Sequence, residues 1–449
     1  MRAFGLVSSF IAAALLVGCS SGNSANSGGG ASGPPRFTLL APFTSTSMMP
    51  MGNMALVEGA DGNFYGTTPS GGNNQTDDGF YGDGSVFKVT PSGTLTTIYK
   101  FCAKSGCPDG ANPQTGLILA SNGNFYGVTP ATNYFTNSLS SGTVFEITAQ
   151  GDLTTLYSSF CPQSSSCPDG DSPAALIQGA DGNFYGVTTG GVNTSAVCNS
   201  RGCGSLFRIT PGGTLTTLYS FCAQANCADG GVPSGLIQGS DGNFYGTTQF
   251  GGAVNPYYPT FGSGTVFKIT PTGAITTLYQ FCAQGQDCPD GQDPRTGVIQ
   301  GSDGNFYGTT SYTIFKLTPQ GNLTTLYACT QSSCSVGAFA AGLIQAADGN
   351  FYGTSQSGGN ANCPGGSPDD PEPEYVTCGT VYRMTSSGTV TVLYSFCAQA
   401  NCADGIYPNA LVQGSDGLLY GTTSAGGLTG FDGLNDPGVI FSLSTGLKE

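Results

Sequence analysis

The sequence predicts an all-β protein, a seven-bladed β-propeller built from four-stranded blades. Three observations lead to this prediction: one unit recurs seven times in the 449 residues, each unit holds four short runs rich in β-branched and aromatic residues, and the two chain ends form complementary partial units. Gly 72 and Pro 26 supply the turns between the short strands. No part of the unit has helical periodicity.

The string Asp-Gly-Asn-Phe-Tyr-Gly marks each unit, with two variants. It recurs at intervals of roughly 45 to 70 residues, beginning at Asp61, Asn122, Asp181, Asp241, Asp303, Asp348 and Asp416. The four runs of a unit, which we call strands A to D, are separated by Asp-Gly and Pro-x-Gly turns typical of β-hairpins. A linear β-solenoid is the alternative, but its coils are usually shorter.

The two ends of the chain predict that the ring closes. The last unit stops after its C strand, Val439–Ser444, and has no D strand of its own. The N-terminal segment Phe37–Phe43 matches the D strands of the other units. We therefore expect the last blade to be completed by this N-terminal D strand, which would remove two open sheet edges.

The N-terminal sequence predicts that the protein is exported from the cytoplasm. Residues 3–17 form an apolar run of signal-peptide length, and the segment Leu15–Cys19 resembles the bacterial lipobox, whose cysteine is lipidated. We expect a signal peptide at 1–18, lipidated Cys19 with a flexible Ser/Gly linker at 19–35, and the propeller at 36–449. An ordinary secretory signal is the alternative. The expected location is the outer membrane or cell surface, with the lipid as the sole membrane contact.

The composition restricts the possible functions. Lys+Arg 12 against Asp+Glu 27 gives a net charge of -15, which repels polyanions and excludes nucleic acid as an expected partner. The absence of His removes the commonest general base and every His-ligated metal site. A non-catalytic protein, expected to be a monomer, is therefore favoured.

The cysteines predict a disulfide framework. Of the 17 Cys, lipidated Cys19 leaves sixteen, which spacing divides into eight pairs. The pairs are Cys102/Cys107, Cys161/Cys167, Cys198/Cys203, Cys222/Cys227, Cys282/Cys288, Cys329/Cys334, Cys363/Cys378 and Cys397/Cys402. Zinc thiolate sites are the alternative, although the spacing and the absence of His speak against them.

A recurrent Cys-x-Asp-Gly segment places an aspartate after the D strand in five units. These residues are Asp109, Asp169, Asp229, Asp290 and Asp404. Five carboxylates around a ring could bind calcium or contact a carbohydrate, and no other cofactor is expected. Alternatively, each aspartate caps its own turn by accepting a hydrogen bond from the backbone ahead of it.

One face of the predicted propeller is elaborated. The D-to-A crossings and B-to-C connections should emerge on that face, and they hold all sixteen paired cysteines and long loops at residues 68–84, 249–264 and 357–379. Loop variation on a fixed scaffold often accompanies binding, although drift of surface loops is the alternative. The Phe-Tyr pairs, such as Phe64 and Tyr65, are expected in the core between blades.

The repeated unit resembles known families. Gly-Leu-Ile-Gln-Gly-Ser-Asp-Gly-Asn-Phe-Tyr-Gly-Thr-Thr with Gly-Thr-Val-Phe-Lys-Ile-Thr-Pro is similar to the GloVer tandem repeat of exported bacterial proteins. That resemblance implies surface anchoring but no established activity. The unit is more weakly similar to seven-bladed propellers of the streptogramin lyase type, which implies the fold. It does not imply their activity, because those lyases use a catalytic His that this chain lacks.

Three hypotheses of function follow from the sequence. The first is a surface-anchored, non-catalytic binding or scaffold propeller that recognises a glycan, an envelope component or a protein through the looped face. The second is a carboxylate- or metal-dependent lyase or hydrolase acting on an extracellular polymer. The third is a structural spacer in the envelope.

Overall fold

A computed structural model describes the chain over residues 33–43, 54–72, 82–104, 107–130, 142–160, 167–198, 202–253, 261–285, 287–329, 336–337, 340–359, 378–427 and 437–446. Its secondary structure there consists of β-strands and of short 3-10 helices at Ala196–Cys198, Ala225–Cys227 and Ala400–Cys402. No helix in these ranges is long and apolar enough to cross a membrane. The predicted signal peptide and Cys19 lie outside the described residues.

The strands form seven antiparallel sheets, one for each unit of the sequence. Strand β1 (Arg36–Pro42) comes first in the chain. Blades 1 to 3 contain β2 (Val57–Glu58), β3 (Phe64–Thr68), β4 (Ser85–Val89), β5 (Leu95–Lys100); β6 (Ile118–Leu119), β7 (Phe125–Thr129), β8 (Gly142–Ile147), β9 (Leu153–Phe160); and β10 (Asp171–Gln178), β11 (Phe184–Gly190), β12 (Ser205–Ile209), β13 (Leu215–Ser220).

Blades 4 to 7 continue the same A-B-C-D order. They contain β14 (Gly231–Gln238), β15 (Phe244–Phe250), β16 (Thr265–Ile269), β17 (Ile275–Gln280); β18 (Ile299–Gln300), β19 (Phe306–Thr309), β20 (Thr313–Leu317), β21 (Leu323–Ala328); β22 (Ala340–Gln345), β23 (Phe351–Ser355), β24 (Thr380–Met384), β25 (Val390–Ser395); and β26 (Ile406–Pro408), β27 (Val412–Gln413), β28 (Leu419–Ala425), β29 (Val439–Ser444). The predicted seven-bladed β-propeller of four-stranded blades is confirmed.

Blade 7 is completed by both ends of the chain, as the sequence predicts. Strand β1 pairs antiparallel with β29, from Arg36 opposite Ser444 to Pro42 opposite Val439. The ring of Phe37 stacks on Tyr394 of blade 6, with centroids 4.3 Å apart. The A strand of this blade is split into β26 and β27, which both pair with β28.

Aromatic stacking joins the blades into a ring. In six interfaces the Tyr of one B strand stacks on the Phe of the next B strand, with ring centroids between 3.9 and 4.2 Å apart. The pairs are Tyr65–Phe125, Tyr126–Phe184, Tyr185–Phe244, Tyr245–Phe306, Tyr307–Phe351 and Tyr420–Phe64. Because the last pair joins blade 7 to blade 1, the ring is closed.

The propeller has two different faces. Because successive strands alternate in direction, the A–B and C–D turns share one face, the turn face, and the B–C connections and D–A crossings share the other, the looped face. Arg36 lies opposite Ser444, the last residue of the C strand in blade 7, so β1 begins at the turn face. The chain that precedes β1 therefore joins the propeller at the turn face.

Hydrogen bonds on the turn face also link neighbouring blades. Gln238 accepts a bond from the backbone N–H of Ala180 in the preceding blade (2.8 Å) and donates one to the carbonyl of Gly242 in its own turn (3.0 Å). Gln178, Gln300, Gln345 and Gln413 receive equivalent bonds from the preceding blade. Glu58 accepts from Ser415 between blades 7 and 1. These contacts reinforce closure of the ring.

Candidate functional site

Five D–A crossings of the looped face share one sequence, Cys-x-Asp-Gly-x-x-Pro. They span residues 107–113, 167–173, 227–233, 288–294 and 402–408. Each crossing leads from a D strand to the A strand of the next blade. Since the A strands of neighbouring blades contact one another, the crossings run from the outer edge of the ring to its centre.

Disulfides close loops on the looped face, which confirms that the chain is disulfide-bonded. They join Cys102 to Cys107, Cys198 to Cys203, Cys222 to Cys227, Cys282 to Cys288 and Cys397 to Cys402. Cys167 and Cys329 are also disulfide-bonded, while their predicted partners Cys161 and Cys334 lie outside the described residues. Cys378 is buried, and its predicted partner Cys363 lies outside them too. These disulfides indicate an exported protein.

The five crossing aspartates, Asp109, Asp169, Asp229, Asp290 and Asp404, bind their own blades. Oδ2 of Asp229 accepts hydrogen bonds from the Tyr219 hydroxyl (2.7 Å) and the Ala223 N–H (2.9 Å). Its Oδ1 accepts one from the Gln224 N–H (3.1 Å). Asp404 has the equivalent three bonds. Burial and this hydrogen bond to Asp229 raise the pKa of Tyr219.

These bonds differ from the predicted cap in their direction. The backbone donors Ala223 and Gln224 come before Asp229 in the chain. The predicted cap instead uses backbone N–H groups that come after the aspartate. The reason is the disulfide between Cys222 and Cys227, which turns the chain back so that its N–H groups meet the carboxylate. Each aspartate fastens its crossing to the neighbouring D strand, and calcium binding stays a prediction.

The glycine after each crossing aspartate is required by close packing. Gly230 has φ +87° and lies against the hydroxyls of Thr248 and Thr265 in the next blade, so a Cβ there would overlap both side chains. The two hydroxyls bond each other at 2.9 Å. The Asp-Gly pair therefore serves a close approach between blades rather than a hairpin turn.

Five further residues of the crossings share an uncommon backbone conformation. They are the third residue after each crossing aspartate, and we call them the display positions. Their φ angles are 52° for Asn112, 56° for Ser172, 57° for Val232, 55° for Asp293 and 56° for Tyr407. Non-glycine residues rarely adopt positive φ, and such strain often accompanies function.

The backbone of four display positions is held by the preceding blade. The N–H of Val232 donates to the carbonyl of Cys203 (2.8 Å), and the N–H of Tyr407 donates to that of Cys378 (2.9 Å). Asn112 and Asp293 make the same bond to Asp83 and Ser263 (2.7 and 2.9 Å). The same backbone conformation therefore presents five different chemical groups in equivalent places. They are an amide, a hydroxyl, an aliphatic group, a carboxylate and a phenol, from Asn112, Ser172, Val232, Asp293 and Tyr407.

The display positions differ in accessibility. Asn112 is buried, because its amide donates to the carbonyls of Pro69 (2.6 Å) and Gly82 (2.9 Å). The other four are half-buried. Asp293 accepts hydrogen bonds from Arg295 Nε (2.8 Å) and Ser311 (3.2 Å), and the Arg295 side chain is 57% exposed. Four different side chains therefore reach the surface around the central end of the crossings.

Sequence reasoning missed the display positions. The residue before proline is expected to be extended, so neither Val232 nor Tyr407 suggests a left-handed backbone. The available signal was the combination of a constant Cys-x-Asp-Gly-x-x-Pro frame with a residue of changing chemistry before the proline.

The three long B–C loops that the sequence predicts on the looped face lie largely outside the described residues.

On the turn face, by contrast, the polar side chains form hydrogen bonds with one another. Asp241 accepts hydrogen bonds from Tyr245 (2.7 Å), Asn243 (2.8 Å) and Lys268 (2.8 Å). Burial raises the pKa of Asp241, but these bonds outweigh burial and hold that pKa well below its usual range. In blade 2 the carboxylate changes position: neutral Asn122 replaces the turn aspartate, and Glu146, at the lysine position, accepts from Asn122 and Tyr126.

These pKa shifts predict how stability depends on pH. The pKa of turn aspartates such as Asp181 is lowered by folding, so their contribution is present above about pH 4 and lost below it. Burial and a carboxylate hydrogen bond raise the tyrosine pKa values, to about 12 for Tyr126, so that contribution is lost above about pH 10. The melting temperature should therefore plateau between these limits. A melting temperature unchanged from pH 7 to 11.5 would contradict the expectation.

The sequence and the structure both have known relatives. The Gloeobacter/Verrucomicrobia repeat family matches residues 16–225, 194–366 and 260–448. No curated relative of the chain is found. A streptogramin B lyase structure is similar at 14% identity and a TM-score of 0.54, over 91% of this chain and 97% of that one. A catalytically inactive virginiamycin B lyase from Staphylococcus aureus with quinupristin is similar at 15% identity and 0.54, over 91% and 99%.

At these identities the likeness to the lyases shows the fold alone, and it confirms the resemblance expected from the repeat. The family match covers nearly the whole propeller. The chain belongs to the Gloeobacter/Verrucomicrobia repeat family.

Proposed function

We propose that this protein is an exported, surface-anchored, non-catalytic binding propeller, whose looped face recognises a glycan, an envelope component or another protein. The display positions carry this proposal, because Ser172, Val232, Asp293 and Tyr407 hold different side chains in one repeated backbone frame. Variable groups on a rigid scaffold are characteristic of binding surfaces. The frame also limits the entropy lost when a ligand binds.

The chemistry of the two faces supports a binding role for the looped face. The polar groups of the turns are engaged with one another, as Asp241 is with Lys268. The crossing aspartates are engaged too, since a D-strand tyrosine donates to each of them. The chain contains no His to serve as a general base. Binding therefore uses the described groups better than acid–base catalysis does.

The position of β1 supports an orientation on the cell. Since β1 begins at the turn face, a tether from lipidated Cys19 would approach that face. The looped face would then point away from the membrane and towards ligands. A linker of 16 residues after Cys19 would span roughly 20 Å as a coil, so the propeller could reorient only over a short distance.

The experiment compares variants of two display positions in a binding screen. Wild-type protein is applied to a glycan array and to isolated cell-envelope polysaccharides and proteins. Tyr407→Ala and Asp293→Ala are expected to weaken binding of the best ligand at least about tenfold, because a central aromatic or charged contact contributes about 1.4 kcal/mol or more. Thr272→Ala on the turn face should leave binding unchanged, since Thr272 is exposed on the opposite side.

The same screen can contradict the proposal. The proposal is contradicted if the wild-type protein binds none of the ligands in the screen. It is also contradicted if the wild type and both display variants bind equally, because the ligand would then contact another surface.

A further inference from the structure

A groove opens on the outer surface of the ring between blades 1 and 2. Its volume is about 520 Å³, and its lining includes Tyr99, Lys104, Asp109, Tyr157 and Ser158. Tyr99 and Tyr157 come from the D strands of the two blades, and Asp109 comes from the crossing between them. The volume lies within the range of about 300 to 1,000 Å³ that is usual for small-molecule sites.

One oxygen of Asp109 in this groove lacks a hydrogen-bond donor. Asp109 is 6% exposed, and its Oδ2 accepts bonds from the Tyr99 hydroxyl (2.7 Å) and the Ala103 N–H (3.1 Å). Its Oδ1 is buried and accepts no bond from any residue that the structure describes. Leaving a buried carboxylate oxygen without a donor carries a free-energy cost. A donor that enters the groove would remove this cost.

Other blades supply the missing donor from the protein itself. Oδ1 of Asp229 accepts from the Gln224 N–H at 3.1 Å. Oδ1 of Asp169 accepts from the Thr217 hydroxyl of the next blade, also at 3.1 Å. Asp290 Oδ1 also lacks a donor within the described part of the chain. That carboxylate is fully buried, whereas Asp109 lines a groove.

The threonine of the next D strand does not cap Asp109. Thr155 of blade 2 is the equivalent of Thr217 in blade 3, but its hydroxyl donates to the carbonyl of Pro108 at 3.4 Å. Thr277 and Thr325 make the same kind of bond beside Asp229 and Asp290, so the contact of Thr217 with Asp169 is the exception. Lys104 occupies the position of Gln224 and adds a cation to the same groove.

The groove combines groups of complementary hydrogen-bonding chemistry. A carboxylate only accepts hydrogen bonds, and an ammonium only donates them. A vicinal diol can satisfy both, because each hydroxyl donates and accepts. Aromatic rings such as those of Tyr99 and Tyr157 provide apolar surface for the C–H face of a sugar. The opposite charges of Asp109 and Lys104 favour a ligand without net charge.

We propose that the groove between blades 1 and 2 binds a neutral sugar residue, with Asp109 accepting from one hydroxyl and Lys104 donating to another. This inference rests on the proposed function, because it names a ligand class and one place of contact for it. The groove lies at the outer end of the crossing, whereas the display positions lie at its central end. The two places can therefore be tested separately.

The test measures binding of methyl hexopyranosides and short neutral oligosaccharides by calorimetry and saturation-transfer NMR. Lys104→Gln introduces the residue that the chain has at Gln224 and Gln399, and it is expected to weaken binding at least about fivefold. Asp109→Asn is expected to weaken it at least about tenfold, because the amide cannot accept with both atoms. Asp229→Asn is the matched control: it removes the same carboxylate from another blade and should retain sugar binding.

Several results would overturn the inference. They are the absence of binding by the wild type to every sugar at millimolar concentration, unchanged affinity in Lys104→Gln, and equal losses in Asp109→Asn and Asp229→Asn. Binding of a free amino acid in preference to every sugar would also overturn it, since a zwitterion could pair with both charges.

The groove and the proposed function can fail independently. If Tyr407→Ala abolishes glycan-array binding while the groove variants retain it, the looped face binds a ligand and the groove inference is wrong. If the groove variants lose sugar binding while the display variants keep it, the groove binds sugar and the display positions do not carry the function.

Discussion

Deletion of residues 36–43, which removes β1 and Phe43, is expected to lower the melting temperature by about 6 °C or more. Phe43 is buried, and Phe37 stacks on Tyr394 at 4.3 Å and on Phe441 at 5.4 Å. Loss of a buried phenylalanine costs about 3 to 5 kcal/mol, and β29 would also lose its pairing partner. A loss of about 5 kcal/mol corresponds to a shift of about 6 °C, because the unfolding entropy is about 2.1 cal/mol/K per residue over roughly 410 residues.

The control deletion removes eight residues, 21–28, from the predicted linker and should leave the melting temperature unchanged. A finer comparison uses Phe37→Ala and Leu39→Ala, because Leu39 is 37% exposed and should contribute little. The deletion also exposes the edge of β29, so light scattering should increase. If the deletion variant melts within about 2 °C of the parent, closure of blade 7 by β1 does not stabilise the ring.

The fold was predictable because one sequence unit recurs in every blade of the ring. Seven copies of one unit show where each strand begins and ends, and the unmatched strands at Phe37–Phe43 and Val439–Ser444 require each other. The stacking of Tyr65 on Phe125 follows from alternation along a strand, because neighbouring residues face opposite blade interfaces. A sequence with one copy of the unit would have allowed neither inference.

The candidate site was less predictable because its conformation depends on contacts between blades. The rule for the residue before proline predicts an extended backbone at Val232. The structure holds Val232 at φ 57° because its N–H bonds Cys203 in the preceding blade. Such a bond joins residues of different units and leaves no mark in local composition. The paired change to Asn122 and Glu146 lies within one unit, but it was hidden because the partners are 24 residues apart.

Substitution of Asp229 by alanine is expected to lower the free energy of unfolding by about 3 kcal/mol or more. The side chain is fully buried, and its removal would leave the Tyr219 hydroxyl and the Ala223 and Gln224 N–H groups without their acceptor. A hydrogen bond to a charged carboxylate contributes about 1.5 to 3 kcal/mol. The free energy of unfolding is measured by urea denaturation followed by circular dichroism, with the wild type and Asp229→Ala compared at the same pH.

The matched control is Asp287→Ala, because Asp287 is an exposed carboxylate in the corresponding loop of blade 4 and should change stability by less than about 0.5 kcal/mol. Tyr219→Phe removes only one donor, so its smaller loss, combined with the double variant, gives the coupling between Tyr219 and Asp229. A large coupling assigns the aspartate to the architecture of the crossing. If Asp229→Ala were as stable as the control, the carboxylate would not be needed to hold the crossing, and the five crossing aspartates would become candidates for calcium or ligand binding.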